Sequence, residues 1–132
     1  MKPDLFQYGD FTSHAGLPLK WKIECDAISP AEWDCLAHMV MERQSLPFSH
    51  VEGIPRGGVP FANALQKYAS GDSTHPPMIV DDIFTTGKSF LDYKEEKYPN
   101  TLAGFGYKWV VFARKKSNIH PFHVRALFTM GV

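Results

Sequence analysis

The feature that most constrains the fold is the run MIVDDIFTTGKS at residues 78–89. It opens with a short apolar stretch, Met78, Ile79 and Val80, bounded on its left by Pro76 and Pro77, which has the length and composition of a buried strand. Asp81 and Asp82 follow, then a small loop rich in hydroxyls and glycine. The segment from Phe90 to about Tyr98 has a composition that continues as a helix. Strand, acid pair, small loop and helix start, in that order, are laid out to hold a phosphorylated sugar. Loop amides and a helix N-terminus favour a phosphate, and paired carboxylates accept hydrogen bonds from vicinal hydroxyls. Asp-Asp by itself reads equally well as a helix or turn cap; the whole order carries the inference. Gly87-Lys88-Ser89 also resembles the tail of a nucleotide-binding P-loop, but that motif needs a glycine where this chain has Asp82. A carboxylate there repels a triphosphate.

A second stretch, VEGIPRGGVP at residues 51–60, has two consecutive glycines just before a predicted helix. Such glycines let the backbone approach an anion closely. Arg56 offers a planar fork suited to phosphate oxygens. Read alone, it is also an ordinary strand-to-helix turn with a solvated arginine.

The rest of the chain supplies the frame. Residues 20–25 alternate polar and apolar, predicting a strand with one buried face. Ser29, Pro30 and Glu32 make a helix start, followed by Trp33, Leu36, Ala37, Val40 and Met41 at helical spacing to about Gln44. A short strand over 50–54, a helix over 59–69 and a polar connection over 70–77 lead into the central strand. After the helix from Phe90, Pro99-Asn100 turns the chain. Residues 104–113 are aromatic and β-branched, hence strand. A charged loop, 114–118, and a last strand over 123–130 follow. Residues 1–16 read as mixed in polarity, broken by Gly9 and Gly16. Alternating strands and helices predict an α/β fold in one domain spanning 1–132, with a mainly parallel central sheet flanked by helices. In such sheets ligands bind beyond the carboxyl ends of the strands. That places the loops after Ile54 and after Asp82 on one rim.

Composition excludes other classes. The chain has 132 residues, 14 Lys and Arg against 14 Asp and Glu, and 44% hydrophobic residues. The balanced charge argues against nucleic acid as a partner. No apolar run approaches membrane-spanning length, and the first ten residues lack the apolar core of a signal peptide. Cys25 and Cys35 lack metal-type spacing and fit reduced thiols in a cytoplasmic protein. None of the six histidines makes a helical i, i+4 pair, and His120 and His123 around Pro121-Phe122 are a poor metal pair.

Residues 78–89 resemble the 5-phosphoribosyl-1-pyrophosphate (PRPP) signature of the type I phosphoribosyltransferases: apolar residues, of which three (Met78, Ile79, Val80) stand here where the signature has four, then two acids, two variable or apolar residues, and Thr-Thr-Gly-x-Ser/Thr. Residues 51–60 are similar to the pyrophosphate loop of the same family, which often has an unusual backbone conformation. Residues 11–26 are a weaker likeness to orotate phosphoribosyltransferases: an aromatic residue, then Ala15-Gly16 where that family has Ser-Gly, then a strand ending in an acid. The resemblance implies a fold with small N- and C-terminal hood elements. It implies an enzyme of pyrimidine biosynthesis transferring the 5-phosphoribosyl group from PRPP to a nucleobase, an orotate-like pyrimidine first and a purine next. Asp81 and Asp82 would hold the ribose hydroxyls and act catalytically with Arg56. Phe84, Thr85, Thr86, Gly87, Lys88 and Ser89 would hold the 5-phosphate. Pro55, Arg56, Gly57 and Gly58 would hold pyrophosphate. Mg²⁺ would be the cofactor, reached by Asp81 and Asp82 through water and ribose hydroxyls. Lys20 and Lys22 are candidates for an anionic base, or else solvated lysines on a strand's outer face. The partners implied are PRPP and a base, or the product nucleotide, and a second copy of the chain in a homodimer, for which Phe6, Tyr8 and Phe11 are surface candidates.

One departure matters. Members of the family carry a long flexible loop that closes over the substrate with a basic residue. Here only residues 70–77 occupy its place, too few for a two-stranded excursion. Arg114, Lys115 and Lys116 are candidates for the missing positive charge, or a solvated basic loop. A PRPP-binding protein without turnover, acting as a sensor or interaction module, is the alternative reading.

Overall fold

A computed structural model describes residues 5–12, 18–102, 105–114 and 123–129. Its centre is a four-stranded sheet built from β3 (Val51–Gly53), β4 (Met78–Phe84), β5 (Tyr107–Ala113) and β6 (Arg125–Thr129). These strands lie in the order β3-β4-β5-β6 and every pairing is parallel. Val80 of β4 lies opposite Gly53 of β3 and Trp109 of β5, so β4 is central. A separate antiparallel pair, β1 (Phe6–Thr12) and β2 (Pro18–Ile23), precedes the sheet.

Both faces of the sheet are covered, as an all-parallel sheet requires. On one face lie α1 (Pro30–Met41) and α2 (Val59–Leu65). There Trp33, Val40, Phe61 and Leu65 pack with Met78, Val80, Trp109 and Val111. On the other lies α3 (Lys88–Lys97), whose Phe90 packs with Phe84, Ile79 and Val110. The apolar pattern of β4 follows from this: Met78, Ile79 and Val80 are all buried because neither face meets water.

The helix start at Ser29 forms as its sequence predicts. Ser29 Oγ accepts the Glu32 N–H, Glu32 Oε1 accepts the Ser29 N–H, and Pro30 opens the helix. Other boundaries move. The expected strand over 20–25 is Pro18–Ile23, and Cys25 lies in a 3-10 turn instead. The mixed-polarity N-terminus contains β1, which exists because β2 offers it a partner. The first helix stops at Met41 rather than at Gln44. Gln44 turns inward, its Oε1 accepting from Trp109 Nε1 at 3.1 Å and its Nε2 donating to the Leu46 carbonyl. The expected helix to Ala69 ends at Leu65 and passes into a 3-10 turn, Gln66–Tyr68. There the Gln66 amide bonds both the N–H and the C=O of Val51, extending the edge of β3. Strand β5 starts at Tyr107, after Gly106 at φ +78°, where a side chain would meet the Pro77 carbonyl at 2.9 Å. Strand β6 starts at Arg125, two residues after His123 at positive φ. Its expected end, Met130, lies outside the described residues, as do Lys115, Lys116, His120 and any C-terminal hood. The side chains of Phe6, Tyr8, Phe11, Lys20 and Lys22, in β1 and β2, also lie outside what the structure describes. No helix among the described residues is long and apolar enough to cross a membrane.

Candidate functional site

Because β3 and β4 are parallel neighbours, the loops leaving them emerge side by side. Loop 54–58 follows β3 and runs into α2; residues 85–87 follow β4 and run into α3. The Ile54 N–H bonds the Val80 carbonyl at 2.9 Å, keeping the first loop tight against β4. The glycines make that approach possible. A Cβ on Gly58 would lie 2.6 Å from the Val80 carbonyl oxygen, and one on Gly57 would lie 2.4 Å from Asp82 Oδ2. What presses on these glycines is therefore the protein itself, the acid pair included. The Pro55–Arg56 peptide is cis. Pro55 and Arg56 are exposed. Among the described residues the Arg56 guanidinium has Asp26 as its ion-pair partner, at 3.9 Å, and both side chains are mostly in solvent. An exposed pair of this kind contributes little, about 0–1 kcal/mol, so Arg56 is free to turn toward an anion.

The two acids, adjacent in sequence, occupy different environments. Asp81 is 6% exposed, and its Oδ1 accepts the Asp82 N–H at 2.8 Å. Burial pushes its carboxyl well above the usual range, and the neighbouring Asp82 carboxylate pushes it further. Asp82 is half-buried, and its Oδ1 accepts the Ile83 N–H. The Cys25 thiol lies beside it. Burial raises the Cys25 thiol and Asp82 raises it further. That side chain is thus a neutral neighbour of the acid pair. In the sequence Cys25 is a plain thiol, because only the fold carries the turn after β2 to Asp82.

Beyond β4, Thr85, Thr86 and Gly87 form a turn closed by Gly87 at φ +85°, a conformation suited to glycine. Thr86 Oγ1 accepts the Lys88 N–H at 3.3 Å. The helix begins at Lys88, two residues earlier than the sequence indicates, so Lys88 and Ser89 belong to its first turn rather than to the loop. Residues 83–90 line an open pocket, and the first amides of α3 lack intrahelical acceptors by geometry. A pocket rimmed by hydroxyls and helix amides suits a phosphate. Lys88 Nζ bonds Asp92 one turn on, at 2.6 Å.

Among the described residues no three His, Cys, Asp or Glu side chains cluster as a metal site. Asp82 is a half-exposed carboxylate and Asp81 is buried beside it, so the pair would offer Mg²⁺ an indirect hold, through bridging oxygens, rather than a full ligand set. Arg114 follows β5 on the same rim, its N–H bonded to the Phe84 carbonyl and its side chain half-buried. The connection over 70–77 does not reach the rim. Ser70 and Gly71 bond the carbonyls of Phe48 and Ser49, and Ser49 bonds Pro76, at the opposite end of β3.

Comparison with protein-family models and with curated proteins finds no match. Solved structures do match. Orotate phosphoribosyltransferase from Aeropyrum pernix superposes at TM-score 0.72 and 21% identity, over 95% of this chain and 88% of that one. UMP synthase of Leishmania donovani gives 0.69 and 18%, over 95% of this chain. The chain spans only 33% of that longer protein. Orotate phosphoribosyltransferase of Mycobacterium tuberculosis, solved with inorganic phosphate, gives 0.66 and 16%, over 93% and 87%. The chain therefore has the type I phosphoribosyltransferase fold, as found in orotate phosphoribosyltransferases.

Proposed function

We propose that this chain is a phosphoribosyltransferase, moving the 5-phosphoribosyl group from PRPP to a nucleobase with release of pyrophosphate. The observation that carries the reading is the contact of Gly57 with Asp82. It joins two anion-ready loops around one acid pair, so a ligand phosphorylated at both ends of a ribose matches the rim. In this reading the turn at 85–87 and the first turn of α3 hold the 5-phosphate, and residues 55–58 hold the pyrophosphate. Asp81 and Asp82 hold the ribose hydroxyls. A base nitrogen forms its bond to C1 as the bond from C1 to the pyrophosphate oxygen breaks and its electron pair leaves with pyrophosphate. Positive charge grows on the sugar, and the Asp82 carboxylate lies where it offsets that charge. Arg56 offsets the charge of the leaving group. Mg²⁺, held through Asp81, Asp82 and ligand oxygens, would supply further neutralisation.

The orotate structures favour an orotate-like pyrimidine as the acceptor, with a purine next. A homodimer is part of the same reading. A second reading, a PRPP-binding protein without turnover, is favoured by one observation. The connection over 70–77 is tied to the far end of β3, so it offers the rim no cover. Titration calorimetry with PRPP and Mg²⁺, followed by a screen of bases for pyrophosphate release, separates the two. Binding with release for one base supports the transferase; binding with no release supports the second reading. Failure to bind PRPP, or binding indifferent to Asp81→Asn with Asp82→Asn, overturns both.

A further inference from the structure

Glu52 stands in β3, three residues before Pro55, with an 18% exposed side chain. Its Oε1 accepts a short hydrogen bond from the Tyr93 hydroxyl and its Oε2 accepts another from Tyr98. His50 Nε2 also bonds Oε2, at 2.7 Å. For that, Nε2 carries a proton, and Nδ1 lies 2.9 Å from Ser49 Oγ. Tyr93 lies within α3 and Tyr98 caps its end.

These bonds are prominent because α3 is otherwise thinly anchored. In the helix sequence KSFLDYKEEK only Phe90 is fully buried. The rings of Tyr93 and Tyr98 lie only partly buried against the same apolar cluster as Phe90, so packing holds the far end of the helix less firmly than the end at Phe90. The second fixing is the carboxylate of Glu52 with the two tyrosines, one of which, Tyr98, also packs on Phe105 at 4.9 Å. Glu52 is on the strand that delivers residues 55–58, and α3 is the helix whose first turn lines the phosphate pocket.

We propose that Glu52 is a positioning residue, a clamp that sets the spacing between the two anion subsites so that one ligand spans both. The inference rests on the transferase reading for the identity of that ligand. Burial pushes the Glu52 carboxyl up, but the Tyr93, Tyr98 and His50 bonds outweigh it and hold the group below its ordinary value. Burial and the same carboxylate push both tyrosine hydroxyls up, Tyr98 to about 12. Acceptor and donors therefore keep their roles at neutral pH.

A clamp affects a bridging ligand more than its halves, because only the bridging ligand needs both subsites in register. The test compares the wild type with Glu52→Gln and with the double variant Tyr93→Phe, Tyr98→Phe, in which the rings remain. Calorimetry below the melting range follows PRPP with Mg²⁺, pyrophosphate and ribose 5-phosphate, and amide exchange follows residues 85–90 in the free protein. The expected result is a loss of roughly tenfold or more in PRPP affinity, fragment affinities within about twofold, and faster exchange at 85–90. Unchanged PRPP affinity, or one common factor of loss for all three ligands, overturns the clamp. A wild type that does not bind PRPP overturns the transferase reading instead. The clamp is then decided by exchange at 85–90, and no change there in either variant overturns it.

Discussion

Gly57 is where the first anion loop meets the acid pair, and its missing side chain is what allows it. Gly57→Ala puts a methyl group 2.4 Å from Asp82 Oδ2. Either the loop lifts off β4 or the Asp82 carboxylate turns away. The expected loss of stability is about 1–3 kcal/mol, as for other overpacked sites, with PRPP binding lost alongside; thermal melting and calorimetry read the two. Asp81 gives a prediction of opposite sign. Its folded-state carboxyl is raised above its ordinary value of 3.8 by burial and by Asp82. The stability that goes with its proton is fully present below that value and is lost as pH rises toward the folded value, because the unfolded chain ionises first. Asp81→Asn keeps an oxygen for the Asp82 N–H and never ionises. Without Mg²⁺ or ligand, its melting temperature should equal the wild type's near about pH 4 and exceed it by several degrees at about pH 8. A wild type that loses nothing between those values would show that Asp81 is ionised in the fold. The same substitution should abolish PRPP binding, so the residue trades stability for its site.

At the scale of elements, local signals translate into structure where the sequence also supplies the partners. The capping box at Ser29 is complete within four residues, so α1 begins where the sequence says. Ser29→Ala should cost about 1 kcal/mol, or about 4 °C in a chain of this size, and leave PRPP affinity unchanged, since α1 donates no group to the rim. A changed affinity in that variant would mean that α1 positions the loop at Gly58 through α2. Loop 54–58 and the acid pair were legible for the same reason: glycines, an arginine and two acids sit at the carboxyl ends of strands with clear apolar patterns. What was not legible depends on distant partners. β1 needs β2 beside it, and no period within residues 1–16 announces it. The end of α1 depends on Trp109, whose indole N–H draws Gln44 inward from 65 residues away. Glu52 looked like one more polar residue in a short strand, and its meaning appears only when Tyr93 and Tyr98 arrive from α3. Cys25 is similar, becoming part of the site because its turn delivers it to Asp82.

At the scale of the molecule, the transferase reading makes cover over the rim the property that governs turnover. Residues 70–77 are short, and their bonds to Phe48 and Ser49 hold them at the opposite end of the sheet. A closing loop serves to exclude water and to complete the charge around the leaving group. Under the transferase reading, a rim without cover from this connection predicts fast ligand exchange, with the developing charges at C1 and on pyrophosphate balanced in part by water, which reorganises during the reaction and stabilises them less. The chemical step should then be slower than product release. Rapid mixing of protein, PRPP, Mg²⁺ and the active base should give linear product formation from the first turnover, with no burst. The rate should be insensitive to added viscogen, because no diffusive step limits it. A burst followed by a slower phase would show that release is limiting and that another segment covers the site. Arg114, at the end of β5 on the same rim, identifies where to look. If its loop is that cover, Arg114→Ala would abolish the burst and lower the single-turnover rate while leaving PRPP affinity nearly unchanged.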